Sequence, residues 1–151
     1  MARCQLMSPK HDVSDGRSRT VIVAAVIMVD GRVLACERAT PPELAGQWEF
    51  PGGKVEPGET EEAALARECA EELGVRVQVG GRIGAEVSLA GSRAVLRFFT
   101  ARLVDGGPPQ PLEHAALRWL GADELDRVRW LPADIPMVAE LPALLLREGP
   151  A

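Results

Sequence analysis

The segment from Thr60 to Gly74, TEEAALARECAEELG, specifies one helix from its first turn to its last. Thr60 reads as the N-cap, because its hydroxyl can accept from amides that the first turn leaves open. Glu61 and Glu62 follow at the positive end of the helix dipole, and Gly74 suits the left-handed residue that ends such a helix. At about 100° per residue, Leu65, Ala66, Cys69, Ala70 and Leu73 fall on one arc, and Glu68, Glu71 and Glu72 on another. One side is expected to pack and the other to carry concentrated negative charge.

The flanking sequence supplies strands. Residues 20–29, TVIVAAVIMV, are rich in β-branched side chains, and Asp30-Gly31 separates them from RVLACER. Asp-Gly suits the positive φ angles of a two-residue turn, so the pair reads as a hairpin. ATPPELAGQ is a loop, WEF at Trp48 to Phe50 a short strand-like run, and PGGKVEPGE a second loop. After the helix, VRVQV, RIGAEVSL and AVLRFFTARLV read as three strands, the last two joined by a turn around Gly91. GGPPQP is a loop and ALRWL around Trp119 another strand. Ala122 to Val128 is expected to form a short helix, and Pro136 to Arg147 a C-terminal helix interrupted early by Pro142. Strands interspersed with amphipathic helices make a mixed α and β domain. A chain of 151 residues, 46% of them hydrophobic, can bury one sizeable core. The reading is therefore one domain over residues 19–151, preceded by a loose tail over residues 1–18.

Charge and cysteine usage narrow the function. A net charge of −5, from 17 basic and 22 acidic residues, argues against capture of polymeric nucleic acid by its phosphates. Cys4, Cys36 and Cys69 are odd in number and form no C-x-x-C pair, so they read as reduced thiols. No apolar run reaches the length of a membrane span, and the N-terminal segment lacks the apolar middle of a secretory signal. The expectation is a cytoplasmic protein with no membrane partner.

The glutamates are the informative feature. Glu68, Glu71 and Glu72 stand at i, i+3 and i+4 and project from adjacent turns. Their repulsion costs stability unless solvent, a basic partner or a cation relieves it, and oxygen ligands at this spacing suit hard Mg²⁺ or Mn²⁺. By themselves they equally describe a solvated face. The surrounding pattern is more specific: Gly53, five residues, Glu59, seven residues, Arg67-Glu68, an apolar residue, any residue, Glu71-Glu72, any residue, Gly74 and an aliphatic residue. With every fixed position filled from Gly53 to Val75, this resembles the signature of the Nudix hydrolase family. Cys69 departs mildly, standing where that family usually carries Leu, Ile or Val. The R-A pair Arg38-Ala39, WEFPGGK and LPADIPMVAEL extend the likeness to the MutT-type branch, which includes bacterial CTP pyrophosphohydrolases and oxidised-guanine triphosphatases. It runs from roughly Val21 to Leu145.

This resemblance implies an α/β/α sandwich on a mixed sheet, with a loop-helix-loop motif beside it. It implies that Glu68, Glu71 and Glu72 hold Mg²⁺, or Mn²⁺ in its place, together with the backbone carbonyl of Gly53, and that one of these carboxylates, Glu68 among them, takes the proton from water. Glu59 and Arg67 brace loop against helix, while Gly52, Gly53 and Gly58 allow a tight loop path. Arg38 falls where relatives bind phosphate, or is an exposed hairpin arginine. Glu113 matches an additional metal-associated carboxylate, with His114 its neighbour and competitor. Asp134 falls where relatives meet the base: a carboxylate can accept from the cytosine N4 amino group or from a guanine edge, or it caps a helix. Phe50 and Phe99 stack on the base or belong to the core, and Trp48, Trp119 and Trp130 form core or pocket wall. The implied reaction is attack of water at the β-phosphorus of a nucleoside triphosphate, giving a monophosphate and pyrophosphate. The implied substrates are (d)CTP-type or oxidised guanine nucleotides such as 8-oxo-dGTP. ADP-ribose or a sugar nucleotide is an alternative, and so is a binding module without turnover. The partner is a small nucleotide, and the protein a monomer or homodimer.

Overall fold

The computed structural model describes residues 19–105 and 107–148. The loose tail expected over residues 1–18, with Cys4, lies outside the described residues.

Strands β1 (Val21–Val29) and β2 (Arg32–Glu37) form the expected hairpin, with Asp30 at φ 52° and Gly31 at φ 76°. Their register, Met28 opposite Val33 and Val29 opposite Arg32, extends only two pairs from the turn. Beyond it the strands fork, and the chain returns to fill the gap. β3 (Trp48–Glu49) pairs with β2, and β4 (Gly52–Lys54) pairs antiparallel with β1, with Gly52 opposite Ala24 and Gly53 opposite Val23. Between them the Ala25 amide donates to the Pro51 carbonyl at 2.8 Å. PGGK, expected to be loop, is thus partly strand, because the open fork leaves β1 backbone groups that need partners.

β6 (Val95–Asp105) runs parallel to β1, β5 (Arg76–Ser88) antiparallel to β6, and β7 (Ala116–Gly121) antiparallel to β2. The result is a seven-stranded mixed sheet in the order β3-β2-β1-β6-β5, with β4 on β1 and β7 on β2. The two strands expected from VRVQV and RIGAEVSL are one. Its register shifts between Val79 and Arg82, where Gly80-Gly81 takes up the irregularity without ending the pairing.

Both faces of the sheet are covered. Alternate residues of β1 point opposite ways: Val23, Ala25 and Ile27 pack with Leu65, Cys69 and Leu73 of helix α1 (Glu61–Leu73). Ile22, Ala24 and Val26 join Phe50, Phe98, Met137, Leu141 and Leu145 on the other side. That second side carries α2 (Ile135–Val138) and α3 (Leu141–Glu148), completing the α/β/α sandwich. The single C-terminal helix expected from the sequence is therefore two. The break falls where Pro142 puts it, since Pro142 has no N–H for the Val138 carbonyl four residues back, and in α3 it takes the second position, where that N–H is not needed. The helix expected from Ala122 to Val128 shrinks to one 3₁₀ turn, Leu125–Arg127. Cys36 and Cys69 are buried on the α1 side and are not joined in a disulfide, and burial pushes the Cys69 thiol well above the usual range. Among the described residues no helix is long and apolar enough to cross a membrane.

Gly52 is where the fork closes most tightly: a Cβ there would stand 1.9 Å from the Val23 carbonyl oxygen. Gly52→Ala is expected to cost about 1–3 kcal/mol, the usual range for forced overpacking, seen as a lower urea midpoint. Gly81→Ala, which meets no atom within 4 Å, is the control and should change the midpoint little. An unaltered midpoint for Gly52→Ala would mean that the fork can open.

Candidate active site

Helix α1 is fixed at both ends as its sequence indicates. Thr60 Oγ1 accepts from the Ala63 amide at 3.0 Å, and Gly74, at φ 69°, returns its N–H to the Ala70 carbonyl at 3.0 Å. Arg97 on β6 pairs with Glu61 in the first turn and tethers that end to the sheet.

The packed stripe differs from the expected one. It comprises Ala64, Leu65, Glu68, Cys69, Glu72 and Leu73, whereas Ala70 is exposed and Ala66 only half-buried. The helix is turned so that two of the three glutamates enter the interface. Around the helix axis Glu72 lies only about 20° from Leu65 and Glu68 about 60° from it, while Glu71 is about 120° away. Glu68 and Glu72 are 5% exposed, and the Glu71 side chain is 52% exposed.

The buried pair meets β4. A Cβ on Gly53 would fall 2.4 Å from the Glu68 carboxyl carbon, so the glutamate lies flush on a backbone that only glycine leaves bare. The Gly52 amide donates to Glu72 Oε1 at 3.4 Å. Burial is the main cause raising the Glu68 carboxyl above its ordinary value, with the charge of Glu71 adding to it; contacts with Glu72 and Arg67 oppose the rise.

Arg67 binds this arrangement to the loop. Its Nε and Nη2 donate to the two Glu59 oxygens at 2.6 and 2.9 Å, and Nη2 also donates to the Lys54 carbonyl at 3.1 Å. Nη1 reaches Glu68 at 3.0 Å and Glu71 at 3.5 Å. Glu59 in turn accepts from the Glu56 amide at 2.9 Å. Gly58, at φ 85°, makes the turn into Glu59. The Arg67 guanidinium and the Glu56 amide together hold the Glu59 carboxyl down to about 2, from 4.5.

Among the described residues no three acidic, histidine or cysteine side chains converge as a closed metal cage. The donors are instead set along one face, Glu68 and Glu72 on the Gly52-Gly53 backbone and Glu71 outside. Carboxylates and a peptide carbonyl are the oxygen donors that a hard divalent cation takes, so the set fits one. Glu113 stands apart and exposed, in a segment held to the end of α1 by the Leu112 amide on the Glu72 carbonyl at 3.1 Å.

Several residues lie deeper than the sequence suggests. Arg38 is 1% exposed, not a hairpin arginine in solvent. Its Nη1 donates to both Glu49 oxygens at 3.2 Å, and its Nε and Nη2 to the Thr40 carbonyl at 3.0 and 2.8 Å, so its donors are engaged inside the protein and not turned to a phosphate. Phe50 is fully buried, edge-on to Phe98 and 5.0 Å from Trp130, which makes it core and not a free stacking surface. Phe99 is buried on the opposite face, against α1. Asp134 is 0% exposed in the Pro132–Asp134 turn, and its side chain does not cap α2. His114 is also buried and hydrogen-bonded to Glu49 at 2.9 Å.

Beside this region an apolar cavity of about 480 Å³ opens between the loop bearing Leu44 and Gln47, the β5 to β6 turn at Leu89, and Leu131 to Ala133. Its wall and the Glu49–His114 pair were not singled out from the sequence. A glutamate set between Trp48 and Phe50 was the available signal, because a charge inside an apolar run needs a buried partner.

A family profile described as NUDIX domain matches residues 16–141. A Mycobacterium tuberculosis protein with the provisional name 8-oxo-dGTP diphosphatase 2 is 49% identical over 124 residues, covering 80% of this chain and 86% of its own. The CTP pyrophosphohydrolase of Escherichia coli is 38% identical over 124 residues, covering 82% of this chain and 91% of its own. The solution structure of the E. coli ORF135 protein superposes with a TM-score of 0.69 at 36% identity, over 88% of this chain and 94% of that one.

The Glu59 to Arg67 pair gives a pH-dependent prediction. A carboxyl held below its unfolded value stabilises the fold fully above that value, and the contribution is lost as pH falls through the folded one. The urea midpoint of the wild type should therefore exceed that of Glu59→Gln at pH 7, and the gap should close between about pH 4.5 and 2. A gap that is constant with pH would assign the difference to something other than this carboxylate.

Proposed function

We propose, from the premise that this chain belongs to the Nudix hydrolase family, that it is a Mg²⁺-dependent nucleoside triphosphate pyrophosphohydrolase releasing a nucleoside monophosphate and pyrophosphate. The observation that carries this is the seating of Glu68 and Glu72 on the bare backbone of Gly53 and Gly52, on the same chain segment whose other end, Gln47, enters the apolar cavity. Carboxylate ligands for a phosphate-bound cation and an apolar space for a base are thus joined through the segment Gln47 to Gly53, which includes β3 and the start of β4. The cavity is of a size ordinary for small-molecule sites.

The residues divide the work. Glu68, Glu71, Glu72 and the Gly53 carbonyl are the groups that would hold the cation, with Mn²⁺ an allowed substitute. When bound, the cation neutralises phosphate oxygens and lowers the pKa of water. Glu68, its carboxyl raised by burial, is suited to accept the proton of the attacking water. Arg67 and Glu59 keep the glutamates in place, as partners behind a metal site do. Glu113, exposed beyond the end of α1, is available as a further ligand when the phosphates are present. The base enters between Leu44 and Leu131, and Asp134, directly behind Ala133, shapes that wall.

The names of the relatives favour (d)CTP-type nucleotides and oxidised guanine nucleotides such as 8-oxo-dGTP as substrates. The discriminating experiment is pyrophosphate release with Mg²⁺ across dCTP, CTP, 5-methyl-dCTP, dGTP, 8-oxo-dGTP and ADP-ribose, with the nucleotide product identified. A triphosphate preference with monophosphate as product is expected. Turnover confined to ADP-ribose would replace the substrate class. Glu68→Gln, Glu71→Gln and Glu72→Gln should each lower turnover by about 10²-fold or more, with the circular dichroism spectrum unchanged. Full activity in all three would remove the carboxylate assignment.

A further inference from the structure

We infer that His114, Glu49 and Arg38 form a buried positioning relay that holds the loop over residues 40–47, and with it one wall of the base cavity, in register with the catalytic helix. All three side chains are inside: Arg38 and His114 are each 1% exposed at the side chain, and Glu49 is 6%. His114 Nε2 lies 2.9 Å from Glu49 Oε2. An ionised carboxylate only accepts, so the imidazole donates this bond. Both Glu49 oxygens receive Arg38 Nη1, and Arg38 hands the contact on to the Thr40 carbonyl through Nε and Nη2.

The two ends of the relay are fixed to different parts of the site. At the loop end, the Arg38 backbone donates to the Gln47 carbonyl at 2.8 Å and accepts from the Gly46 amide at 3.1 Å. Arg38 therefore grips both the start and the finish of the segment that carries Leu44 and Gln47 into the cavity. At the other end, His114 follows Leu112, whose amide is bonded to Glu72, and precedes Ala115, whose amide donates to Glu37 at 2.8 Å. The imidazole is anchored between the end of α1 and the end of β2.

Such a trio is weak evidence of a gain in stability. Buried ion pairs can often be exchanged for apolar side chains of similar volume at no loss, whereas a fixed set of directional bonds specifies geometry. Among the described residues Nδ1 of His114 has no hydrogen-bond partner, so the bond to Glu49 is the hydrogen bond that orients the ring. The relay acts on substrate through the loop, which makes its members positioning residues. This inference rests on the reading that the cavity receives the base.

The test compares His114→Phe, which fills the site without a donor, with His114→Gln, whose amide can donate to Glu49 again. Two quantities are read: deuterium exchange of the amides over residues 40–47 in the free protein, and KM and kcat for the triphosphate that the wild type hydrolyses best. His114→Phe is expected to speed loop exchange and raise KM, each by roughly tenfold, the size of one lost bond to a charged group. Exchange in residues 61–73 should not change, and kcat should stay within about threefold. His114→Gln should restore both quantities to near wild type. Glu49→Gln, of the same shape without the charge, should change both in the direction of His114→Phe and serves if that variant does not fold. Loop exchange and KM equal to wild type in His114→Phe, or in Glu49→Gln where it stands in, would overturn the relay. So would His114→Gln as impaired as His114→Phe, since ring packing would then be the cause. If the wild type hydrolyses no triphosphate, the substrate reading falls, and loop exchange alone still decides the relay.

Discussion

The approach of Gly52 to the Val23 carbonyl is the constraint on which the rest of the site depends. Because the β1–β2 hairpin opens after two pairs, the chain can lay residues 48–54 into the fork, bonding first to β2 and then to β1. Any side chain at position 52 would drive the two backbones apart. The same closeness puts a bare peptide surface under α1, and Glu68 and Glu72 lie on it. The site is therefore made by backbone proximity first and by side chains second.

Burying two glutamates at a helix interface has a cost that the structure offsets locally. Isolated carboxylates in such a position would be driven to protonate, and burial does raise Glu68. Arg67 counters this by spanning Glu59, Glu68 and Glu71 with one guanidinium, while the Lys54 carbonyl fixes its plane. Planar fork geometry allows this in a way a lysine could not reproduce. Glu59 is accordingly part of the electrostatic frame of the helix, though it lies in the preceding loop.

Much of this was legible in the sequence, and the misreadings share one origin. Thr60, Gly74 and the Asp30-Gly31 turn depend on local geometry and stand where the residue types put them, and Glu59 and Arg67 meet as the family resemblance implied. The stripe of α1 was misread because Ala66 and Ala70 were grouped with the apolar residues, whereas the sheet selects the side bearing Leu65 and Cys69 and takes Glu68 and Glu72 with it. β4 was hidden because its pairing with β1 spans some thirty residues, and Gly-Gly reads locally as loop. Arg38 was read as facing phosphate or solvent, and Phe50 was left open between the base and the core, because sequence spacing does not reveal burial. Glu49 was passed over for the same reason, although its position between two aromatics pointed inward.

The arrangement also places the glutamates and the apolar cavity on different sides of the sheet. The Gly52-Gly53 backbone and Arg67, which meet the glutamate side chains, lie between Gly52 and Leu73, on the α1 side of the sheet. The cavity wall is drawn from Leu44 and Gln47, the turn around Leu89, and Leu131 to Ala133, over the opposite core with its Phe50, Phe98 and Trp130 cluster. The segment from Gln47 to Lys54 takes part in both. Side chains in the wall can therefore change without disturbing a hydrogen bond of the glutamate site, provided that segment keeps its path. On the proposed reading of the cavity as the base site, such a fold holds its hydrolytic geometry constant while the base varies, and the residues to vary in testing that reading are those of the wall and its supports.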